Sequence, residues 1–278
     1  MRRVIYALLA FAFAPSAFAD DLSWLTGPQA TNVPVVNGWA GIYIGGQVSY
    51  SNAGGDFSKT TQAPLAFQLR DLTLESEQQP SSWPVLGQAN HSATGFGGFV
   101  GYNTQFEKLV LGVEANYDQA NLSLIAPNSP ISRLTSAGGN TYEVTVTGSG
   151  SVTDLNFGTL RARGGWALGN FLPYGFAGVA VGHANVNITA TVSGIENPQN
   201  QPCTPSGPPT PACVPFSFTG TAGKNGEWMV GFAVGGGLDV ALTRNVFLRA
   251  EYEYVQFAPV ANLVVEVNTV RGGLGVKF

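Results

Sequence analysis

Few side chains in this sequence have the types and spacing that chemistry requires. Its 278 residues hold two histidines, His91 and His183. Nucleophilic catalysis needs a base beside the nucleophile, so an acyl-transfer or hydrolytic activity would have to use one of them. His183 shares the parity of Asn185 and Asn187, which predicts an inward, structural imidazole. His91 falls in a polar stretch and reads as a solvated loop residue. Asp154 and Glu143 are isolated acids without a ligand cluster, so no metal ligand is assigned. The run Gly235-Gly236-Gly237 is not followed by a phosphate-cradling helix and instead suits strands that bend or pack closely. Cys203 and Cys213 flank a proline-rich segment with no His or acid between them. In an exported chain that spacing predicts a disulfide rather than a metal site. No catalytic residue and no cofactor is assigned.

The charged residues are more informative. Glu114, Arg161, Arg163, Asp239, Arg249, Glu251, Glu253, Arg271 and Lys277 all fall on one parity of alternating segments. Bases and acids nearly balance in this set. An unpaired buried charge is costly, so the balance predicts paired side chains filling a narrow interior. The competing expectation is a selectivity lining around an open pore.

Period-two strands are needed to aim such a set inward. The first runs from about 39 to 50, with Ile42, Ile44, Val48 and Tyr50 opposed to Tyr43, Gly45, Gln47 and Ser49. Others are expected at about 93–103, from 108 onward, 156–167, 171–189, 227–241, 246–257 and 263–278. On the strand from 171, Leu172, Tyr174, Phe176, Gly178 and Ala180 form the apolar face. Connections near Thr104, Gly169 and Thr243 are short, whereas those at about 51–92, 121–152 and 190–226 are long. Tyr142 to Thr147 also alternates and is expected to lengthen a strand rather than to add a hairpin.

The chain opens with Arg2 and Arg3, an apolar run from Val4 to Phe13, and small residues at Ala17 and Ala19. This predicts a secretory signal peptide over 1–19 with cleavage before Asp20. Residues 20–38 lack periodicity and are expected to form a periplasmic strap. Charged residues make up 11% of the chain, against about 25% in typical soluble domains. No later segment approaches the roughly 18 apolar residues of a membrane helix. The acidic balance, 17 acids against 13 bases, offers no basic patch for nucleic acid.

A secreted soluble barrel is the alternative to a membrane one. It would place the charged parity outside, but these charges are too sparse to solvate an exterior. The glycines sit largely among the charged-parity residues, as a crowded interior requires. Tyr and Trp fall near strand ends, where membrane-interface girdles are built. The expected fold is all-β, an antiparallel up-and-down transmembrane barrel of eight strands over 39–278, with the long loops outside the cell.

Gly38-Trp39-Ala40-Gly41-Ile42-Tyr43-Ile44-Gly45-Gly46 resembles the opening strand of the small OmpA-like and opacity-type outer-membrane β-barrel family. Phe99-Val100-Gly101-Tyr102-Asn103, Leu160-Arg161-Ala162-Arg163-Gly164-Gly165 and Leu248-Arg249-Ala250-Glu251-Tyr252 are similar to later strands of it. The resemblance implies a structural, surface-exposed protein of the porin-like class in the cell outer membrane. It also implies that Val270, Leu274, Val276 and Phe278 form the signal read by the outer-membrane assembly machinery. The membrane lipids are the other expected partner. A narrow diffusion channel is the alternative function; a lipid-modifying barrel enzyme and a haem-binding surface protein rank below it. The loops depart from the family pattern, so no extracellular ligand transfers, and the chain is expected not to be an enzyme.

Overall fold

The computed structural model describes residues 38–197 and 213–278. The expected signal peptide, all of the strap but its last residue, and Cys203 lie outside the described residues. The described chain runs β1 (Gly41–Asp56), α1 (Gln62–Leu69), α2 (Thr73–Gln78), a short 3-10 turn (Pro80–Ser82), β2 (Gln88–Phe106), β3 (Leu109–Ile125) and β4 (Ile131–Ala137). It continues through β5 (Asn140–Trp166), β6 (Phe171–Asn197), β7 (Val214–Ala222), β8 (Glu227–Ala241), β9 (Val246–Phe257) and β10 (Val265–Lys277).

Eight of these strands close a barrel in the order β1-β2-β3-β5-β6-β8-β9-β10. Closure is antiparallel, from Tyr43 opposite Lys277 to Gly55 opposite Val265. No sheet edge is left within the barrel, so it presents no row of unpaired backbone groups, as a hydrocarbon surrounding demands. The other two strands lie beyond the barrel at its long-loop end. There β4 pairs with β5, and β7 pairs with β6. The stretch Tyr142–Thr147 therefore does both things: it lengthens β5 and forms a hairpin with β4. Gly138 and Gly139 make this possible, because both central turn residues have positive φ (56° and 84°), the geometry of the tightest hairpin turns.

Alternation persists along every strand, but its polarity inverts partway. On β3, Leu111, Val113 and Tyr117 point outward while Glu114, Asn116 and Asp118 are buried. A few residues on, Ala120, Leu122 and Leu124 are buried and Gln119 and Asn121 are exposed. On β6 the outward set passes from Val179 and Val181 to His183 and Asn187, while Ala184, Val186 and Ile188 turn inward. On these two strands the inward parity does not change but the surroundings do, whereas on β5 a bulge between Thr153 and Asn156 moves the inward set from odd positions such as Phe157 and Arg161 to even ones such as Val146 and Val152. Apolar residues face lipid along the barrel, and water-facing positions become polar above it. Tyr50, Phe96, Tyr117 and Trp228 ring the upper boundary of the outward apolar band, and Tyr102, Phe106 and Trp166 the lower.

The interior is layered. At the short-turn end Trp39, Tyr43, Phe99, Tyr174, Phe176 and Phe247 form an aromatic floor. Inward glycines make room for these rings: a Cβ on Gly45 would lie 2.2 Å from the Phe99 ring, and one on Gly275 2.2 Å from the Phe247 ring. Charged side chains occupy the middle. At the long-loop end Phe57, Leu65, Leu69, Trp83 and Leu86 descend from the first long connection onto the inward faces of β3, β5, β6 and β10 and complete an apolar cap.

Candidate functional site

The middle layer is the site to which the charge pattern pointed. Its register follows from the strand pairings, which set Glu114 opposite Arg161, Asp239 opposite Arg249, and Arg271 opposite Glu251. Glu114 is the hub. One of its oxygens accepts from Arg161 at 2.5 Å. The other accepts from Arg163 at 3.2 Å, Arg249 at 2.8 Å and the Tyr43 hydroxyl at 2.6 Å. Arg161 continues to Glu251 at 2.7 Å and Glu253 at 3.1 Å. Asp239 accepts from Arg163 at 2.7 Å and from Arg249 at 2.9 Å. Arg271 donates to Asp118 at 2.6 Å, to Glu251 at 2.9 Å and to Glu253.

Each guanidinium in the lower half also lies over a ring. Arg161 sits 3.9 Å over Phe176, Arg163 3.7 Å over Tyr174 and Arg249 4.0 Å over Phe99. Such stacking uses the two faces that hydrogen bonding leaves free. It also explains one difference from the sequence pattern. Leu172, Tyr174 and Phe176, expected on the apolar outer face, point inward: the two aromatic faces are good partners for guanidinium ions, and Leu172 packs into the floor cluster beside them. The side chains of the four arginines and five carboxylates are at most 2% exposed. The layer is therefore a continuous ionic belt and leaves little room for solvent between partners.

Two residues differ from the expected set. Asp118 belongs to the belt, and its place on the parity of Glu114 in β3 is the signal that assigns it. Lys277 does not belong. It shares the inward parity but lies at the short-turn mouth, where its ammonium donates to the Gly38 carbonyl and sits 5.7 Å from the Trp39 ring. Being at the last residue of β10, it is beyond the depth of the other charges.

Both histidines are exposed. His183, expected inside, projects outward and packs against Trp228 at 5.0 Å; the polarity inversion just above Val181 accounts for this. The His91 Nδ1 accepts from the Ser123 backbone at 3.3 Å. Among the described residues no group of three or more His, Cys, Asp or Glu could hold a metal ion. Val270, Leu274, Val276 and Phe278 face outward along β10. Cys213 immediately precedes β7.

A closed eight-stranded barrel with a lipid-facing apolar band and an ionic interior defines a small outer-membrane barrel protein. The chain belongs to the outer membrane protein beta-barrel domain family, whose model matches residues 5–278. It is similar to the 31 kDa outer-membrane immunogenic protein of Brucella melitensis biotype 1, at 28% identity over 298 residues and 100% of both chains. The 25 kDa outer-membrane immunogenic protein of Brucella ovis is 24% identical, with 99% of this chain and 96% of that one covered. Among solved structures, Neisserial surface protein A matches at 15% identity and a TM-score of 0.36, covering 86% of this chain and 98% of that one. The protein is an outer-membrane β-barrel embedded in lipid.

Proposed function

We propose that this barrel is a sealed anchor that holds an extramembrane sheet at the cell surface, and that it is neither an open pore nor an enzyme. The ionic belt carries this reading. Its side chains are paired in one network at 2% exposure or less, and an apolar cap closes the lumen above it. Eight strands enclose just enough space for side chains, so a belt of four arginines and five acids occupies the section that a channel would need.

The same reading assigns 1–19 as the export signal, 20–38 as a periplasmic strap, the long loops to the outside, the β10 ending to recognition by the assembly machinery, and a disulfide to Cys203 and Cys213. Planar-bilayer recording on the purified protein tests the central statement. The expected result is no steady current, or only brief small openings. A large, steady conductance that is unchanged by Arg163→Ala would establish an open pore.

A further inference from the structure

The outer tip of the molecule carries a pocket that the barrel does not need. Its volume is about 330 Å³, at the small end of the range that holds small ligands. One wall is the inner face of the sheet above the membrane. There the pairings set Tyr142 opposite Glu196, with Phe216 and Phe218 on the neighbouring strand. Tyr142 meets Phe216 edge-on at 6.2 Å, and Phe216 lies 6.1 Å from Phe218. The opposite wall is the connection between α1 and α2 together with the first turn of α2, which contribute Leu72 and Leu74.

The charged groups that line this pocket are acidic. Glu196 lines it, held by the Asn140 amide at 2.6 Å, and Asp71 lines its opening. Glu77 sits beside it, accepting from the Gly138 backbone at 3.3 Å. No basic side chain is among the described lining residues, and residues 198–212, which join β6 to β7 in sequence, contain no charged residue. Arg70 is paired with Asp71 at 3.4 Å on the exposed side. Burial, with the Glu196 carboxylate adding to it, pushes the Tyr142 hydroxyl up from its ordinary value.

We infer that this pocket binds an organic ammonium ion, a cation on an apolar body. Aromatic faces attract a cation through their quadrupoles, and more strongly where water is excluded. The carboxylates supply the opposite charge, and Leu72 and Leu74 cover the apolar part. The same carboxylates repel phosphate, so the ligand is a free amine or quaternary ammonium rather than a zwitterionic lipid headgroup.

Calorimetric titration of the full barrel in a maltoside detergent tests this with choline, its uncharged carbon isostere dimethylbutanol, and phosphocholine. Choline should bind saturably and roughly fivefold more tightly than dimethylbutanol, and phosphocholine should bind more weakly than choline. Glu196→Gln keeps an acceptor for Asn140 and should remove the preference for charge. Phe218→Ala should weaken choline binding in a barrel that still migrates as folded without heating, which keeps the inference testable should Glu196→Gln fail to fold. Absence of saturable choline binding, equal affinity for dimethylbutanol, tighter binding of phosphocholine, or a charge preference that survives Glu196→Gln would each overturn it.

Discussion

Glu114 shows how much one side chain organises in this interior. It accepts from three arginines and a tyrosine, and those arginines lead on to Asp239, Glu251 and Glu253. Taking such ions from water is costly, and only near-complete pairing offsets it. Removing the hub leaves Arg161, Arg163 and Arg249 short of a partner in a place water barely reaches. Glu114→Ala should therefore destabilise the folded barrel by about 3–5 kcal/mol. Urea unfolding in lipid vesicles reads this as a fall in midpoint with little change in slope. A midpoint equal to that of the unaltered protein would mean that the belt does not depend on its pairs.

At the scale of the element, each long strand meets four surroundings. Its lower part separates lipid from the charged lumen, and its upper part separates water from an apolar cap. On β3 and β6 the inward parity is kept across the boundary and only residue type switches, whereas β5 changes parity at a bulge between Thr153 and Asn156, where Asp154 has a φ of 57°. The last strand raises a different question. Phe278 is 75% exposed, and its backbone N–H donates to the Ile42 carbonyl at 2.8 Å. Deleting it removes little that holds the barrel together, so a loss of folded protein in cells would report on assembly rather than on stability. The expected outcome of Phe278 deletion is near-normal refolding into vesicles but a severalfold lower level of barrel in the outer membrane. Equal outer-membrane levels would count against an assembly role for this ending.

The whole molecule is polar in its long direction. Short turns lie at one end, and the capped sheet of β4, β5, β6 and β7 lies at the other. In outer-membrane barrels the short turns face the periplasm, which sends the sheet outward. Single cysteines at Ser217 on β7 and at Thr243 in the β8–β9 turn, both exposed, distinguish the two orientations once Cys203 and Cys213 are replaced. Ser217→Cys should react with an impermeant thiol reagent on intact cells, and Thr243→Cys only after rupture. The unaltered protein should not react until it is reduced, as the proposed Cys203–Cys213 disulfide requires. The reverse labelling pattern would invert the orientation.

Much of this architecture is legible in the sequence because a barrel strand is a local, period-two object. β8 and β9 span the expected 227–241 and 246–257, and the parity of Glu114, Arg161, Arg163, Asp239, Arg249, Glu251, Glu253 and Arg271 already places them on one side. Parity cannot say at what depth a strand leaves the membrane. That is why His183 was expected inside and lies outside, and why Lys277 was expected in the belt and lies at the mouth. Nor can it say that Tyr174 and Phe176 face inward, since an apolar residue suits lipid and a guanidinium face alike. The descent of Phe57, Leu65 and Leu86 into the mouth, and the aromatic and acidic pocket between Leu72 and Phe218, join segments more than a hundred residues apart. Sequence determined which residues alternate; only the closed tertiary structure decided what each face meets, because lipid, water and neighbouring side chains are assigned by position in space and not along the chain.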